Sequence, residues 1–311
     1  MSSDPKTSLL TSKTFSELGL AKQNVISVPP QSTIETALKT MASHNILTLP
    51  ITSRAFPNKF AYILSTLDIL LYVTSRQKPG SQLDLSVTVE TAMTMDAEME
   101  SYRVFERDYR DTIESTLIHF AHGLHRALIT DALKEKPAIV ITQTDILSYI
   151  HKNVCFKQKD KSVLNLPCFS KTLAELGLVT NHVKSMKDSE TALEGYTRMA
   201  AAKILALPVV DAAGLVVATL SASDLRGLSR ETLAYVNLNV LDFIKKMDLK
   251  STKEATSSLT PADTLLDAIN LLVERDVHRL WILDSVLRPI GVVSQSDVIA
   301  AIMGVSVPRI H

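Results

Sequence analysis

The sequence predicts an α/β (α+β) fold built from one small unit that is repeated four times. The first observation is that Lys13–Leu20 recurs as Lys171–Leu178, 158 residues later. The second is a Ser/Thr-x-x-Asp motif that follows a short apolar run at four places. The third is the order of signals in each copy, which reads helix, strand, strand, helix. Repetition at a fixed spacing indicates a repeat architecture, in which single units bury too little apolar surface to be stable alone.

The repetition also predicts the domain boundaries. Residues 10–151 and 168–311 are two copies of one module, and residues 152–167 form the linker. Each half divides again, which gives four units at about residues 12–75, 85–151, 168–230 and 238–304. Because a unit of this size is marginal by itself, the two units of each half are expected to pair and to leave pseudo-symmetric clefts between them.

Each unit is expected to open with a capped amphipathic helix. Ser32–Glu35 and Asp111–Glu114 have the spacing of capping boxes, and Thr260 stands before Pro261 as at the first position of a helix. Two short strands follow, and in the third unit they are Leu207–Val210 and Leu215–Ala218. The second helix then begins at the Ser/Thr-x-x-Asp motif.

Composition excludes several classes of function. The 311 residues carry 33 basic and 33 acidic side chains, so no basic excess is available for nucleic-acid phosphates. No apolar run is long enough for a membrane span, and Met1–Lys6 lacks the pattern of a secretory signal. Two cysteines, Cys155 and Cys168, cannot make a disulfide framework. A cytoplasmic and/or nuclear location is therefore expected.

The four copies of the Ser/Thr-x-x-Asp motif are the candidate functional residues. They are Ser65–Asp68, Thr142–Asp145, Ser221–Asp224 and Ser294–Asp297. A single such motif is sufficiently explained as a helix cap, because the carboxylate favours the positive end of the helix dipole. Four copies, each after an apolar run, also allow a ligand site, and the two roles are compatible.

Three stretches carry a family resemblance. They are Ala206–Asp211 through Ser221–Asp224, Val277–Leu280 through Val292–Asp297, and Gly123–Leu128. The units resemble cystathionine-β-synthase (CBS) domains, so that the two halves would be CBS pairs, or Bateman modules. The four-unit array resembles the gamma regulatory subunit of AMP-activated protein kinase and its yeast and plant relatives.

The resemblance implies a ligand and a set of residues that bind it. The aspartates of the four motifs would accept hydrogen bonds from the ribose hydroxyls of an adenine nucleotide. The phosphates of AMP, ADP or ATP would be held by His125, Arg126, His278 and Arg279, with Lys203 nearby in the third unit. The first and third units depart from the family pattern, because Ile46–Leu47 and Leu205 stand where the animal subunit has Arg and Ser. Fewer occupied sites than aspartates are therefore expected.

Metal binding and catalysis are disfavoured by the same residues. His119, His122 and His125 cannot all share one helix face, and no carboxylate or cysteine nearby completes a ligand set. The sequence has no phosphate-binding loop, no nucleophile elbow and no nucleophile–base pair. A regulatory binding protein without a metal is expected, not an enzyme.

Three functional hypotheses follow. The first is an adenine-nucleotide-sensing regulatory subunit whose partners, by resemblance, are the alpha and beta subunits of a kinase heterotrimer of the SNF type. The second is a CBS scaffold or inhibitor that binds a protein without nucleotide control. The third is a CBS protein that binds S-adenosyl-methionine or another adenosine ligand, for which the aspartates would matter and the arginines would not.

Overall fold

The computed structural model describes residues 11–20, 24–56, 59–75, 84–93, 104–155, 166–249 and 258–305. Most of the predicted linker 152–167 lies outside these ranges. Within them, no helix combines the length and the apolar character that crossing a membrane requires.

The predicted order of elements recurs in all four repeats, which confirms the α/β fold class. The first repeat contains α1 (Ile34–Ser43), β1 (Thr48–Thr52), β2 (Phe60–Ser65) and α2 (Thr66–Ser75). After α3 (Val89–Met93), the second repeat contains β3 (Glu106–Asp108), α4 (Glu114–Ala121), β4 (Arg126–Thr130), β5 (Ile139–Thr142) and α5 (Gln143–Cys155).

The second half of the chain follows the same plan with one shortened helix. The third repeat contains β6 (Met186–Lys187), α6 (Ala192–Ala202), β7 (Ala206–Val210), β8 (Val216–Ser221) and a 3-10 helix (Ala222–Gly227). After α7 (Val240–Lys246), the fourth repeat contains α8 (Leu265–Glu274), β9 (Arg279–Leu283), β10 (Pro289–Ser294) and α9 (Gln295–Met303).

An antiparallel strand pair lies at the centre of each repeat. The pairs are β1–β2, β4–β5, β7–β8 and β9–β10. In the second and third repeats a short third strand adds in parallel, as β3 on β4 and β6 on β7. In the first and fourth repeats one parallel bridge stands at that place, Val28–Ile51 and Leu259–Ile282.

The first helices of three repeats begin at a threonine whose hydroxyl accepts a bond from a backbone N–H. The caps are Thr33 with Thr36 N, Thr191 with Glu194 N and Thr264 with Asp267 N. The predicted start at Thr260 and Pro261 is wrong, because Thr260 closes a preceding turn with Asp263 and the helix begins only at Leu265.

The predicted capping box at Asp111–Glu114 is also wrong. The helix begins at Glu114 with Ile113 in the cap position, and Ile113 makes no side-chain cap. Ile113 is instead fully buried, and its backbone N–H donates to the carbonyl of Lys13 at 2.8 Å. A backbone carbonyl from a distant segment of the chain thus accepts the hydrogen bond at the start of this helix, where a side-chain cap was expected.

The described residues form two compact units, and each unit combines one repeat from each half of the chain. Unit 2/4 lies within Met1–Val25, Phe105–Val183 and Ser257–Arg309 and holds the second and fourth repeats. Unit 1/3 lies within Ile26–Val104 and Lys184–Thr256 and holds the first and third repeats. The predicted boundaries 10–151 and 168–311, and the pairing predicted within each half, stay predictions.

Each repeat is completed by the segment that precedes the other repeat of its half. In unit 2/4, residues 11–19 pack on the second repeat and residues 167–178 on the fourth, where Leu265 N, the first N–H of α8, donates to Lys171 O at 3.0 Å. In unit 1/3, Ile34 N donates to Val87 O at 2.9 Å, and Ala192 N donates to Leu238 O at 3.1 Å. These backbone bonds cap the first helices with chain from elsewhere.

Each unit has its own apolar core, filled mainly by Leu, Ile, Val and Ala as the composition suggests. In unit 2/4, α9 packs on α4 and α5, and α8 packs on α5. In unit 1/3, α1 and α2 pack on the 3-10 helix Ala222–Gly227, and α2 packs on α6. The same pairs of elements therefore meet in both units.

Candidate functional site

The four motif aspartates close the first turns of the second helices. In the first repeat, Asp68 Oδ2 accepts from Ser65 N at 2.7 Å and from Ser65 Oγ at 2.6 Å. Asp145 and Asp297 make the same pair of bonds with Thr142 and Ser294. The capping role is therefore confirmed in these three repeats, and because Oδ2 takes both bonds, Oδ1 lies outside the capping box.

The third repeat also has a capping box, between Ser221 and Asp224, but its hydroxyl group bonds differently. Asp224 Oδ2 accepts from Ser221 N at 2.8 Å, but Ser221 Oγ lies 3.3 Å from Leu205 O, to which it donates. The helix that follows is a 3-10 helix that ends at Gly227. With fewer aligned peptide groups behind it, this helix start presents a weaker positive end than α5 or α9.

Burial separates the four carboxylates. Asp68 is 5 % exposed, whereas Asp145, Asp224 and Asp297 are partly exposed. Of the four motif aspartates, Asp68 is therefore the one that is withdrawn from solvent.

The two His-Arg pairs lie directly beside their motifs. Gln143 N donates to His125 O at 3.2 Å, and Gln295 N donates to His278 O at 3.1 Å. Strand register places Arg126 opposite Thr142 and Arg279 opposite Ser294. Each arginine therefore occupies the strand position that is paired with the first residue of the motif.

Different residues take these positions in unit 1/3. Register places Thr48 opposite Ser65 and Ala206 opposite Ser221, and neither residue is a cation. Lys203 lies three residues before Ala206, at the C-terminal cap of α6, with φ 53° and an exposed side chain. The structure therefore does not bring Lys203 to the strand position that Arg126 and Arg279 occupy.

The cations of unit 2/4 differ in exposure. Arg126 is 7 % exposed, His125 and Arg279 are half-buried, and His278 is exposed. Arginine offers a planar fork of donors that suits phosphate oxygens, and the carboxylates accept from hydroxyl groups. The arrangement suits a ligand that carries both hydroxyl groups and negative charge.

A contact that the sequence pattern does not predict joins the two motifs of unit 2/4. Gln143 Nε2 donates to Ser296 Oγ at 2.8 Å, and Gln295 Nε2 donates to Thr144 Oγ1 at 3.0 Å. These residues occupy the variable positions inside the motif, so the motif pattern itself gave no reason to select them. The contact brings the helix starts with Asp145 and Asp297 together in one unit.

Tyr196 lies fully buried in unit 1/3 on α6, and its ring meets Phe243 edge-on at 6.0 Å. Burial raises the pKa of its phenol well above the usual range, and the charge of Asp224 adds to the increase. Its hydroxyl group has no hydrogen-bond partner among the residues that the structure describes.

The histidines considered for a metal site have other contacts. The ring of His119 lies edge-on to Phe105 at 4.6 Å, and His122 Nδ1 lies 2.7 Å from Ile118 O in its own helix. In the described part of the chain, no three His, Cys, Asp or Glu residues are grouped so that they could hold a metal ion.

Comparison with known proteins agrees with this architecture. The family profile "CBS domain" matches residues 16–75 and 252–304. An Arabidopsis thaliana protein, SNF1-related protein kinase regulatory subunit gamma-like PV42a, is 23 % identical over 95 % of this chain and 96 % of its own length. The Bos taurus 5'-AMP-activated protein kinase subunit gamma-3 is 26 % identical over 58 % of this chain, and the match covers 35 % of that subunit.

A solved structure supports the fold as well. It is a protein from Methanocaldococcus jannaschii described as a candidate archaeal homolog of g-AMPK, with a TM-score of 0.69, 19 % identity, and coverage of 92 % of this chain and 99 % of that one. At this identity the likeness concerns the fold alone. The sequence matches carry the relationship: this chain contains CBS domains and is homologous to the gamma-like subunits of SNF1-related and AMP-activated protein kinases.

Proposed function

We propose that this chain is an adenine-nucleotide-binding regulatory subunit of a kinase complex of the AMP-activated or SNF type. Its homology to gamma-like regulatory subunits supports a nucleotide-sensing regulatory role. The observation that carries the proposal is the composition of unit 2/4. There, two motif carboxylates and both His-Arg pairs lie around two helix starts that contact each other.

In this proposal AMP, ADP and ATP compete for the helix starts of the second and fourth repeats. Asp145 and Asp297 accept from the ribose hydroxyls, and Arg126 and Arg279 donate to the phosphates. Unit 1/3 contributes less, because Thr48 and Ala206 stand where unit 2/4 has arginine.

Regulation requires that the nucleotides bind the active and inactive states of the complex with unequal affinity, because a ligand with equal affinity for both shifts nothing. The proposed partners are catalytic alpha and beta subunits. The proposed location is the cytoplasm and/or the nucleus, where such nucleotides and kinases occur together.

Titration calorimetry of the intact chain with AMP, ATP and adenosine tests the proposal. We expect AMP to bind more tightly than adenosine, and Arg279→Ala to weaken AMP binding by about tenfold or more with little effect on adenosine, since a phosphate contact is lost. Arg288→Ala is the matched control, because Arg288 is exposed in the turn between β9 and β10 of the same repeat.

Two other outcomes would favour other functions. Equal binding of adenosine and AMP, unchanged by Arg279→Ala, would indicate an adenosine-type ligand such as S-adenosyl-methionine. If none of the three ligands binds, the result would favour the CBS scaffold or inhibitor. The lack of a cation at the strand positions opposite Ser65 and Ser221 in unit 1/3 also favours that function. In that case Arg279→Ala would leave partner binding intact.

A further inference from the structure

Two buried glutamines form a reciprocal contact between the second helices of unit 2/4. Gln143 and Gln295 are the first residues of α5 and α9, and they are 3 % and 5 % exposed. Each side chain reaches the hydroxyl of the second residue in the opposite helix, Ser296 or Thr144. The contact is therefore two-fold in character, although 153 residues separate Gln143 from Ser296.

The amide nitrogen of Gln143 has two hydrogens to donate, and three acceptors surround it. Gln143 Nε2 lies 2.9 Å from Phe120 O, 3.0 Å from Leu124 O and 2.8 Å from Ser296 Oγ. An amide nitrogen only donates, so Ser296 Oγ accepts and its own hydrogen points away from Gln143. The glutamine therefore links the loop before β4 to the first turn of α9 and also orients the Ser296 hydroxyl.

The linked residues lie inside the candidate ligand motifs. Ser296 stands between Ser294 and Asp297, which form one capping box, and Thr144 stands between Thr142 and Asp145, which form the other. A shift of either box on ligand binding would therefore move a hydroxyl that the opposite helix holds. Buried hydrogen bonds of this kind are costly to leave unmade, so the two helix starts respond together.

The corresponding positions of unit 1/3 cannot form this glutamine contact. These positions hold Thr66 and Ala222. Thr66 N donates to Leu47 O and Ala222 N donates to Leu205 O, and these bonds are the equivalents of those that the backbone N–H groups of the two glutamines make. Neither side chain carries an amide that could span the distance between two helices. The contact is thus confined to the unit that also carries both His-Arg pairs.

We propose that Gln143 and Gln295 are positioning residues that couple ligand binding at the second and fourth repeats, so that occupation of one helix start changes the affinity of the other. This inference rests on the proposed function. By linkage, the coupling factor is the same in both directions. A factor of about five or more is expected, the lower end of the range for coupled sites.

Calorimetry with AMP on the intact chain measures this factor. Asp145→Asn and Asp297→Asn each leave one of the two sites of unit 2/4, and the product of the AMP binding constants of these two remaining sites describes independent sites. We expect the product of the stepwise constants of the unchanged chain to differ from that value at least fivefold. With Gln143→Met and Gln295→Met combined, which keep the side-chain volume, the difference should fall below twofold. Gln31→Met, at an exposed position in unit 1/3, should leave the factor unchanged.

A second measurement needs no ligand. The double-mutant cycle of Gln143→Met with Ser296→Ala, followed by chemical unfolding, should be non-additive, because both changes remove the same bond. In the calorimetric test with AMP, Ser296→Ala alone should also lower the coupling factor. That test therefore remains possible if the glutamine variants do not fold.

The outcomes separate this inference from the proposed function. If two equivalents of AMP bind and the coupling factor lies within twofold of 1, the coupling is overturned and nucleotide binding stays in place. An additive cycle would overturn it as well. No binding of AMP, ATP or adenosine to the unchanged chain would overturn both.

Discussion

Tyr72 and Tyr196 are both almost completely buried in unit 1/3, but their hydroxyl groups are in opposite situations. Tyr72 Oη donates to Asp84 O at 2.5 Å, whereas Tyr196 Oη has no partner among the described residues. A buried hydroxyl without a partner carries its full desolvation cost of about 1–3 kcal/mol. At this scale, one hydrogen bond decides whether the hydroxyl group of a buried tyrosine adds to stability or lowers it.

We therefore expect Tyr196→Phe to raise the free energy of unfolding by about 1 kcal/mol or more, because it removes that desolvation cost. Tyr72→Phe is the matched control, and it should lower the free energy of unfolding by about 1 kcal/mol, because the Asp84 carbonyl loses its donor. Chemical denaturation of the three proteins measures both changes. A loss of stability in Tyr196→Phe would show that its hydroxyl has a partner after all.

The candidate site was partly predictable at the residue scale. The cap geometry of Asp68, Asp145 and Asp297 follows from local spacing, so the sequence was sufficient for it, whereas the ligand role of these residues stays a prediction. Gln143 and Gln295 could not be identified in this way. Their function as a contact pair depends on which helices meet, and residue spacing along the chain contains no such information.

At the scale of elements, strand β10 depends on a glycine at its edge. Val179 bridges to Gly291, and both Thr180 N and Asn181 N donate to Ile290 O at 2.9 Å. A Cβ atom at position 291 would lie 2.4 Å from the carbonyl oxygen of Leu178. Because that oxygen belongs to backbone, relief would require the segment to move away from the strand.

Gly291→Ala should therefore destabilise the chain by about 1–3 kcal/mol, the usual cost of overpacking with a backbone shift. Gly227→Ala is the control, because its nearest contact is the flexible end of Met247 at 3.1 Å, and a change below about 1 kcal/mol is expected there. Thermal unfolding followed by circular dichroism compares the two. Equal effects would mean that the close approach at Leu178 does not constrain β10.

Element boundaries follow less directly from the sequence than the order of elements does. Thr260–Asp263 and Thr264–Asp267 are consecutive copies of one local signal, and only the second begins a helix, because the buried stripe Leu265, Ala268, Ile269 and Leu272 follows it. The second helix of the third repeat was expected to match the others. It is a 3-10 helix that ends at Gly227, whose backbone freedom makes continuation of a helix costly.

At the scale of the whole molecule, neither half of the chain contains a complete unit. Unit 2/4 takes α4 and α5 from the first half and α8 and α9 from the second, and these helices bury their apolar faces on each other. Unit 1/3 likewise draws on both halves. Separation of the halves would expose both sets of faces.

We expect residues 1–155, expressed alone, to form a homodimer, because a second copy of the pseudo-symmetric half can cover the apolar faces that the missing half leaves exposed. Co-expression with residues 156–311 should instead give a one-to-one complex with the mass of the intact chain. Light scattering after size exclusion measures both. A folded monomer of residues 1–155 would contradict the expectation that the apolar faces need a partner.

The sequence by itself determined the repeat, the order of elements in each copy and the residues at each motif, since these depend on periodicity and on bonds between near neighbours. Only the tertiary structure decided that the second repeat packs with the fourth and the first with the third. It also decided that leading segments complete the neighbouring repeats, and that Gln143 and Gln295 join two helix starts. Four copies of one unit offer several pairings with similar apolar faces, and the choice among them rests on long-range side-chain complementarity that no local pattern records.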